Sequence, residues 1–208
     1  MINRIKSLAK EVTDLYVKPL RRQIHKYPEL SFVEYETSNL IQNLLDEWEI
    51  ENEPVNITGI VANIKGRNPE KRTIALRADM DALPIQETND CDYKSVKQNV
   101  MHACGHDAHM AIALYTAFIL NELKASFKGL VKIFFQPAEE GVTGAVEMVA
   151  AGVVPENTAA VFGMHVWPGV EKGKVLVKAG PLMASTTTIQ IRCHGLGAHC
   201  GKRELGKD

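Results

Sequence analysis

Apolar residues recur at helical spacing through the first stretch of the chain. Ile5, Leu8, Val12, Leu15, Tyr16, Leu20 and Ile24 mark one face, which predicts an amphipathic helix over about 2–26 that ends before Pro28. A second helix is predicted over about 34–47, with Leu40, Ile41, Leu44 and Leu45 on its face. The texture then changes. Gly59-Ile-Val-Ala-Asn-Ile-Lys65 reads as a strand closed by a turn at Gly66-Arg-Asn-Pro69, and Thr73-Ile-Ala-Leu-Arg-Ala78 as a strand ending at Asp79. Residues 108–123 read as a helix apolar on nearly all sides, hence buried. Gly129–Gln136 is a strong strand leading into Pro137-Ala-Glu-Glu-Gly141. A helix to about Ala151 follows, and then a strand over Ala159–Met164 that ends at His165.

This alternation predicts an α/β fold, a central mixed sheet with helices on both faces. In open α/β sheets, ligands gather outside the carboxyl ends of strands. Asp79, the Glu139–Glu140 pair and His165 each follow a predicted strand, so they are expected to meet at one edge. Beyond about Gly180 the pattern turns to period two. Ser185–Cys193 suits a half-buried antiparallel strand, and since one strand and a loop do not make a domain, the tail either packs on the first domain or belongs to a fragment.

The densest chemistry lies in Met101-His-Ala-Cys-Gly-His-Asp-Ala-His109, which holds three His, one Cys and one Asp in nine residues. Thiolate, imidazole and carboxylate are transition-metal donors, and Gly105 lets Cys104 and His106 converge from a tight turn. Adjacent carboxylates at 139 and 140 repel unless a positive charge lies beside them. One would bind metal, and the other would act as base toward a water held there and then as acid toward a leaving group. His165 is placed as a ligand. Asp79 and Asp81 are candidates to orient a ligand or tune the metal. His25, His102 and His109 are read as structural. Cys193, His194, His199 and Cys200 suggest a zinc cluster, but without a Cys-x-x-Cys knuckle.

Composition narrows the classes. The 208 residues are 45% hydrophobic and 24% charged, with a formal net charge of −1, so there is no electrostatic footprint for nucleic acid or an anionic membrane. The N-terminus lacks the apolar core of a secretion signal, no run is long enough to span a bilayer, and four Cys do not make a disulfide scaffold. A reducing cytoplasm is the simplest compartment.

Arg21-Arg22…His25…Pro28-Glu29-Leu30…Glu34 is followed in order by Leu76-Arg-Ala-Asp-Met-Asp-Ala-Leu-Pro84, Met101–His109, Phe135-Gln-Pro-Ala-Glu-Glu-Gly141 and Phe162-Gly-Met-His165. Together these resemble the metal-dependent amidohydrolases that include hippurate hydrolase, bacterial N-acyl-amino-acid amidohydrolases, thermostable carboxypeptidases and plant indole-acetyl-amino-acid hydrolases. The resemblance implies that Cys104, His106, Glu140 and His165 are metal ligands and that Glu139 is the acid–base. It implies Asp79 as the supporting carboxylate, with Asp81 the runner-up. It also implies His199 as a donor to the substrate carbonyl, often from a partner subunit. Two divalent ions are implied, Mn²⁺ or Zn²⁺, with Co²⁺ or Ni²⁺ as further choices. The substrate implied is an N-acyl amino acid and the assembly a homodimer or higher oligomer.

By the same resemblance, residues 1–182 are the N-terminal part of a catalytic domain and 183–208, opened by the strand Ser185–Cys193, begin a smaller α+β lid and dimerisation domain. The family is longer, with a final histidine ligand beyond this segment. The expectation is therefore an N-terminal portion of such an enzyme. The alternatives are a metal-binding fragment without turnover or a zinc-stabilised module built on Cys193–Cys200.

Overall fold

The computed structural model describes residues 2–141, 143–185, 187, 189–192 and 194–207. Two compact units divide the chain at Pro168 and Gly169.

The first unit begins with α1 (Ile2–Val12) and α2 (Lys18–Lys26), joined by a π turn over Thr13–Val17. One helix was expected here, and Pro19 explains the difference. Its ring has no N–H and crowds the carbonyl four residues back, so the helix widens before it can continue. Next come α3 (Tyr35–Glu47), β1 (Glu51–Val55), β2 (Gly59–Lys65) and β3 (Thr73–Asp79). After a long loop follow α4 (His106–Glu122), β4 (Leu130–Gln136), α5 (Gly144–Ala150) and β5 (Thr158–Gly163).

The five strands form one mixed sheet in the order β1-β2-β4-β3-β5. β1 and β4 flank β2 antiparallel, while β3 runs parallel to both β4 and β5. β1 is an edge strand that the hydrophobic pattern does not reveal. Its sequence, Glu-Asn-Glu-Pro-Val, is mostly exposed, and Pro54 is tolerated because an edge strand need not donate on both sides.

Period-two alternation sends side chains to two cores. Ile60, Ala62 and Ile64 of β2, Ala78 of β3, and Ile133 and Phe135 of β4 pack with Ile24, Ile41, Leu45, Met110 and Leu114 from the helices on one face. Val61, Ala75 and Phe134 point the other way, onto Met148 of α5 and Val153 beyond its end. Each large side chain fully buried this way stabilises by about 1.5–3 kcal/mol. Helix α4 is buried along most of its length, but Ile112 is 38% exposed, so it is not apolar-packed on every side. Among the described residues no helix is long and apolar enough to cross a membrane.

In the second unit, the described residues of the period-two stretch (185, 187 and 189–192) are exposed and form no strand, contrary to expectation. Thr186, Thr188 and Cys193 lie outside the described residues. A strand needs a ladder partner, and the bridge found in this unit joins Leu196 to Lys207 instead.

Leu45 is 0% exposed within the larger core. Leu45→Ala is expected to lower the unfolding free energy by about 2–5 kcal/mol in urea titrations. A loss well below that range would contradict its placement.

Candidate metal centre

Parallel strands β3, β4 and β5 all end at the same sheet edge, where Asp79 pairs with Gln136 in register. The loops that leave this edge carry Asp81, Glu139, Glu140 and His165. Helix α4 brings His106 to them on its first residue. The residue before it, Gly105, has φ 92°, and a Cβ there would lie 2.3 Å from Val166 Cγ2. Only glycine permits both the left-handed turn and that approach.

His106 is fully buried. Its Nδ1–H donates to the Asp81 main-chain oxygen at 2.8 Å, and Nε2 has no hydrogen-bond partner among the described residues. That nitrogen lies 3.5 Å from Asp79 Oδ2 and 3.9 Å from Glu139 Oε2. Burial opposes a charge on His106, yet hydrogen bonding to Asp81 and the charges of Asp79 and Asp81 carry its pKa above the ordinary 6.5. The pocket therefore favours a positive charge at Nε2, which a proton or a metal ion can supply.

Cys104 Sγ lies 3.4 Å from His165 Nε2, while His165 Nδ1–H donates to the Val166 oxygen at 2.6 Å. Burial, and then Glu140, push the Cys104 thiol up to about 12. It is a neutral thiol until a cation displaces its proton. Glu139 is also raised, by burial first and then by the charge of Glu140.

Among the described residues, three donor sets have ligand atoms within 4.8 Å of one another: Cys104, His106 and His165; His106, Glu139 and Glu140; and Asp79, His106 and His109. His106 is common to all three. The third set is better understood as a hydrogen-bonded array. His109 Nδ1–H donates to Asp79 Oδ1 at 2.6 Å, and its Nε2 accepts the Val166 N–H at 2.9 Å, so neither ring nitrogen is free. Burial would raise the Asp79 pKa, but the bond from His109 and the nearby His106 and Arg77 hold it below 3.8.

His109, read from the sequence as structural, thus ties Asp79 to the loop that carries His165. Its spacing from His106 puts both on one helix face, which is the signal available in the sequence. Ring centroids of His109 and His165 are 4.6 Å apart.

His25 is buried between two carboxylates, with Nδ1 2.7 Å from Asp107 Oδ2 and Nε2 3.1 Å from Glu87 Oε1. Arg21 Nε joins Asp107 at 2.7 Å. This network pins the first turn of α4, next to His106, onto α2. The Asp107 bond chiefly raises the His25 pKa above 6.5, against burial and with help from Glu87. His102 is buried with neither ring nitrogen partnered among the described residues, and burial lowers its pKa to about 4. His199 belongs to the second unit, where it is exposed and its Nδ1 accepts the Gly201 N–H at 3.1 Å. His194 and Cys200 are exposed in that unit.

Comparison with known proteins places this arrangement. The model of peptidase family M20/M25/M40 matches residues 75–201. The chain is 46% identical over 184 residues to N-acetylcysteine deacetylase of Bacillus subtilis, covering 88% of this chain and 48% of that protein. It is 41% identical over 206 residues to hippurate hydrolase of Campylobacter jejuni, covering 97% and 53%. Among solved structures, a dinuclear metal-binding peptidase of the M20 family from Bacillus subtilis superposes with a TM-score of 0.77 at 44% identity, covering 85% of this chain and 48% of that one. The chain spans about half the length of the curated relatives it matches.

The shifts fix the pH dependence of stability. His25 has a raised pKa, so the stability from its pairing is complete below 6.5 and is lost as pH rises through the raised value. Asp81 behaves oppositely. Burial would raise it, but bonds from His106, Ser31 and two amides hold it at about 2, so its contribution is complete above 3.8 and lost as pH falls through about 2. Urea unfolding followed against pH should show both limbs. His25→Ala should shrink the alkaline limb to the part His106 contributes, and cost about 1.5–3 kcal/mol at pH 6 by removing a charge-assisted bond from Asp107 and from Glu87, which keep Arg21 and the Ser95 amide. A flat profile above pH 6.5 in the unsubstituted chain would contradict the assignment.

Proposed function

The chain belongs to peptidase family M20/M25/M40, and on that premise we propose that it contributes the metal-binding and acid–base residues for hydrolysis of the amide bond of N-acylated amino acids. The products are a carboxylic acid and a free amino acid. One observation carries the reading. A buried, unpartnered His106 Nε2 shares donor sets with Cys104 and His165 and with the Glu139–Glu140 pair. A cation resolves both the orphaned nitrogen and the repulsion between the carboxylates, so the residues fit a metal.

In this reading Cys104, His106, Glu140 and His165 hold divalent metal, two ions in all, with Zn²⁺ or Mn²⁺ ahead of Co²⁺ and Ni²⁺. Thiolate and imidazole suit Zn²⁺, and carboxylates also admit Mn²⁺. When bound, the metal supplies Lewis-acid polarisation of a carbonyl and acidifies water.

The chain's own groups do the rest. Glu139 takes a proton from the water that attacks the acyl carbon and delivers it to the nitrogen of the departing amino acid. Its raised pKa suits a group that must both accept and return a proton. Asp79, held by His109 and Arg77, keeps a fixed negative charge 3.5 Å from His106 Nε2. His199 is assigned to the charge that develops on the acyl oxygen. Residues 1–182 are assigned to a catalytic domain and 183–208 to the start of a lid through which two copies pair.

The 208-residue chain is expected to hydrolyse hippurate or N-acetyl amino acids when given Mn²⁺ or Zn²⁺. Glu139→Gln should lower turnover by about 10²-fold or more while sparing metal content. Near-unchanged turnover would refute the role of Glu139. Cys104→Ser should lose metal, measured by elemental analysis after dialysis, and Cys200→Ser should keep it. The reverse pattern would move the metal to the second unit.

A further inference from the structure

Three consecutive main-chain N–H groups after β4 end on two buried carboxylates from distant segments. Ala138 N–H donates to Glu34 Oε1 at 2.9 Å, Glu139 N–H to Asp81 Oδ1 at 3.0 Å, and Glu140 N–H to Asp81 Oδ2 at 2.9 Å. Glu34 is 0% and Asp81 1% exposed. Ala138 sits at φ 49°, a conformation L-residues adopt at a cost, so this turn depends on outside support. The Asp81 main-chain oxygen meanwhile accepts from His106 Nδ1–H.

We propose that Asp81 is a positioning residue that aims His106 through its main chain and the Glu139–Glu140 pair through its carboxylate, and that both carboxylate oxygens are required as acceptors. The functional consequence rests on the metal reading above. The acceptor requirement does not.

The two carboxylates differ in a way that makes this testable. Each Asp81 oxygen accepts from a main-chain amide, and Oδ2 also takes the Ser31 hydroxyl at 2.6 Å. Amides cannot reverse their polarity. The NH₂ introduced by Asp81→Asn must therefore face an N–H, whichever way the side chain turns. At Glu34 one oxygen accepts the Ala138 N–H and the other the Thr58 hydroxyl at 2.6 Å. That hydroxyl can rotate and accept, so Glu34→Gln keeps its bonds to both Ala138 and Thr58. Both substitutions remove one formal negative charge at a buried position in similar volume. Their difference isolates the acceptor geometry.

Amide hydrogen exchange by NMR on the metal-free 208-residue chain reads this directly. In the unsubstituted protein the amides of Glu139 and Glu140 should be protected. Asp81→Asn should speed exchange by about 10–100-fold at whichever of the two amides faces the NH₂, where an acceptor is lost, while Glu34→Gln leaves both unchanged. In competition against a chelator, Asp81→Asn should weaken Zn²⁺ binding by about 10–100-fold, as loss of a ligand-orienting partner does, with Glu34→Gln equal to the unsubstituted chain. Equal effects from the two substitutions, or none from Asp81→Asn, would overturn the proposal. If the unsubstituted chain binds no Zn²⁺, the metal reading fails, and the exchange comparison decides the role of Asp81 by itself. If Asp81→Asn does not fold, couplings across the hydrogen bonds from both amide nitrogens to the Asp81 carboxyl carbon are expected in the unsubstituted chain, and their absence would overturn it.

Discussion

His106 Nδ1–H donates to the Asp81 carbonyl oxygen at 2.8 Å, and the chemistry of the site follows from the tautomer this bond fixes. With Nδ1 committed, Nε2 must present a lone pair into a pocket lined by Asp79 and Glu139. Such an atom is costly to bury without a partner. The surroundings supply negative charge rather than donors, so what completes the site is a cation. Cys104 reaches the same conclusion from the other side, because its thiol stays protonated against the neighbouring carboxylates until a positive charge arrives.

Holding that geometry uses much of the polar interior. Asp79, Asp81, Glu34, Asp107 and Glu87 are all buried, each at 1% exposure or less. Burying carboxylates is unfavourable unless they are answered, and here the answers come from distant segments: His109 for Asp79, main-chain amides for Asp81, and His25 and Arg21 for Oδ2 of Asp107. The result is a set of supports converging on the carboxyl edge of the sheet. The apolar core beneath, around Phe135, Leu45 and Met110, provides the stability that this arrangement draws on.

The strands that carry the site were legible because their hydrophobic runs are strong and end in chemistry-bearing residues, as at Asp79, Gln136 and His165. The metal-ligand candidates were legible from residue type and order. What stayed hidden depended on partners rather than patterns. β1 has no apolar signature because it lies at an exposed edge. Pro19 sits inside a helical periodicity that masks the break it causes. His109 was indistinguishable from a packing histidine until its two bonds, to Asp79 and Val166, were seen. Asp81 was inseparable from Asp79 in sequence, since both follow the same strand. The fold divides them, one facing His106 Nε2 and the other holding Nδ1 and the glutamate turn.

The central claim is that Cys104, His106 and His165 converge on one ion. X-ray absorption at the metal edge of the Zn²⁺-loaded chain tests it most directly. The account predicts a single sulfur scatterer at about 2.3 Å among nitrogen and oxygen neighbours at about 2.0–2.2 Å. It also predicts that Cys104→Ser removes the sulfur shell while Cys91→Ser and Cys200→Ser leave it intact. A first shell of nitrogen and oxygen alone, or a sulfur shell that survives Cys104→Ser, would contradict it.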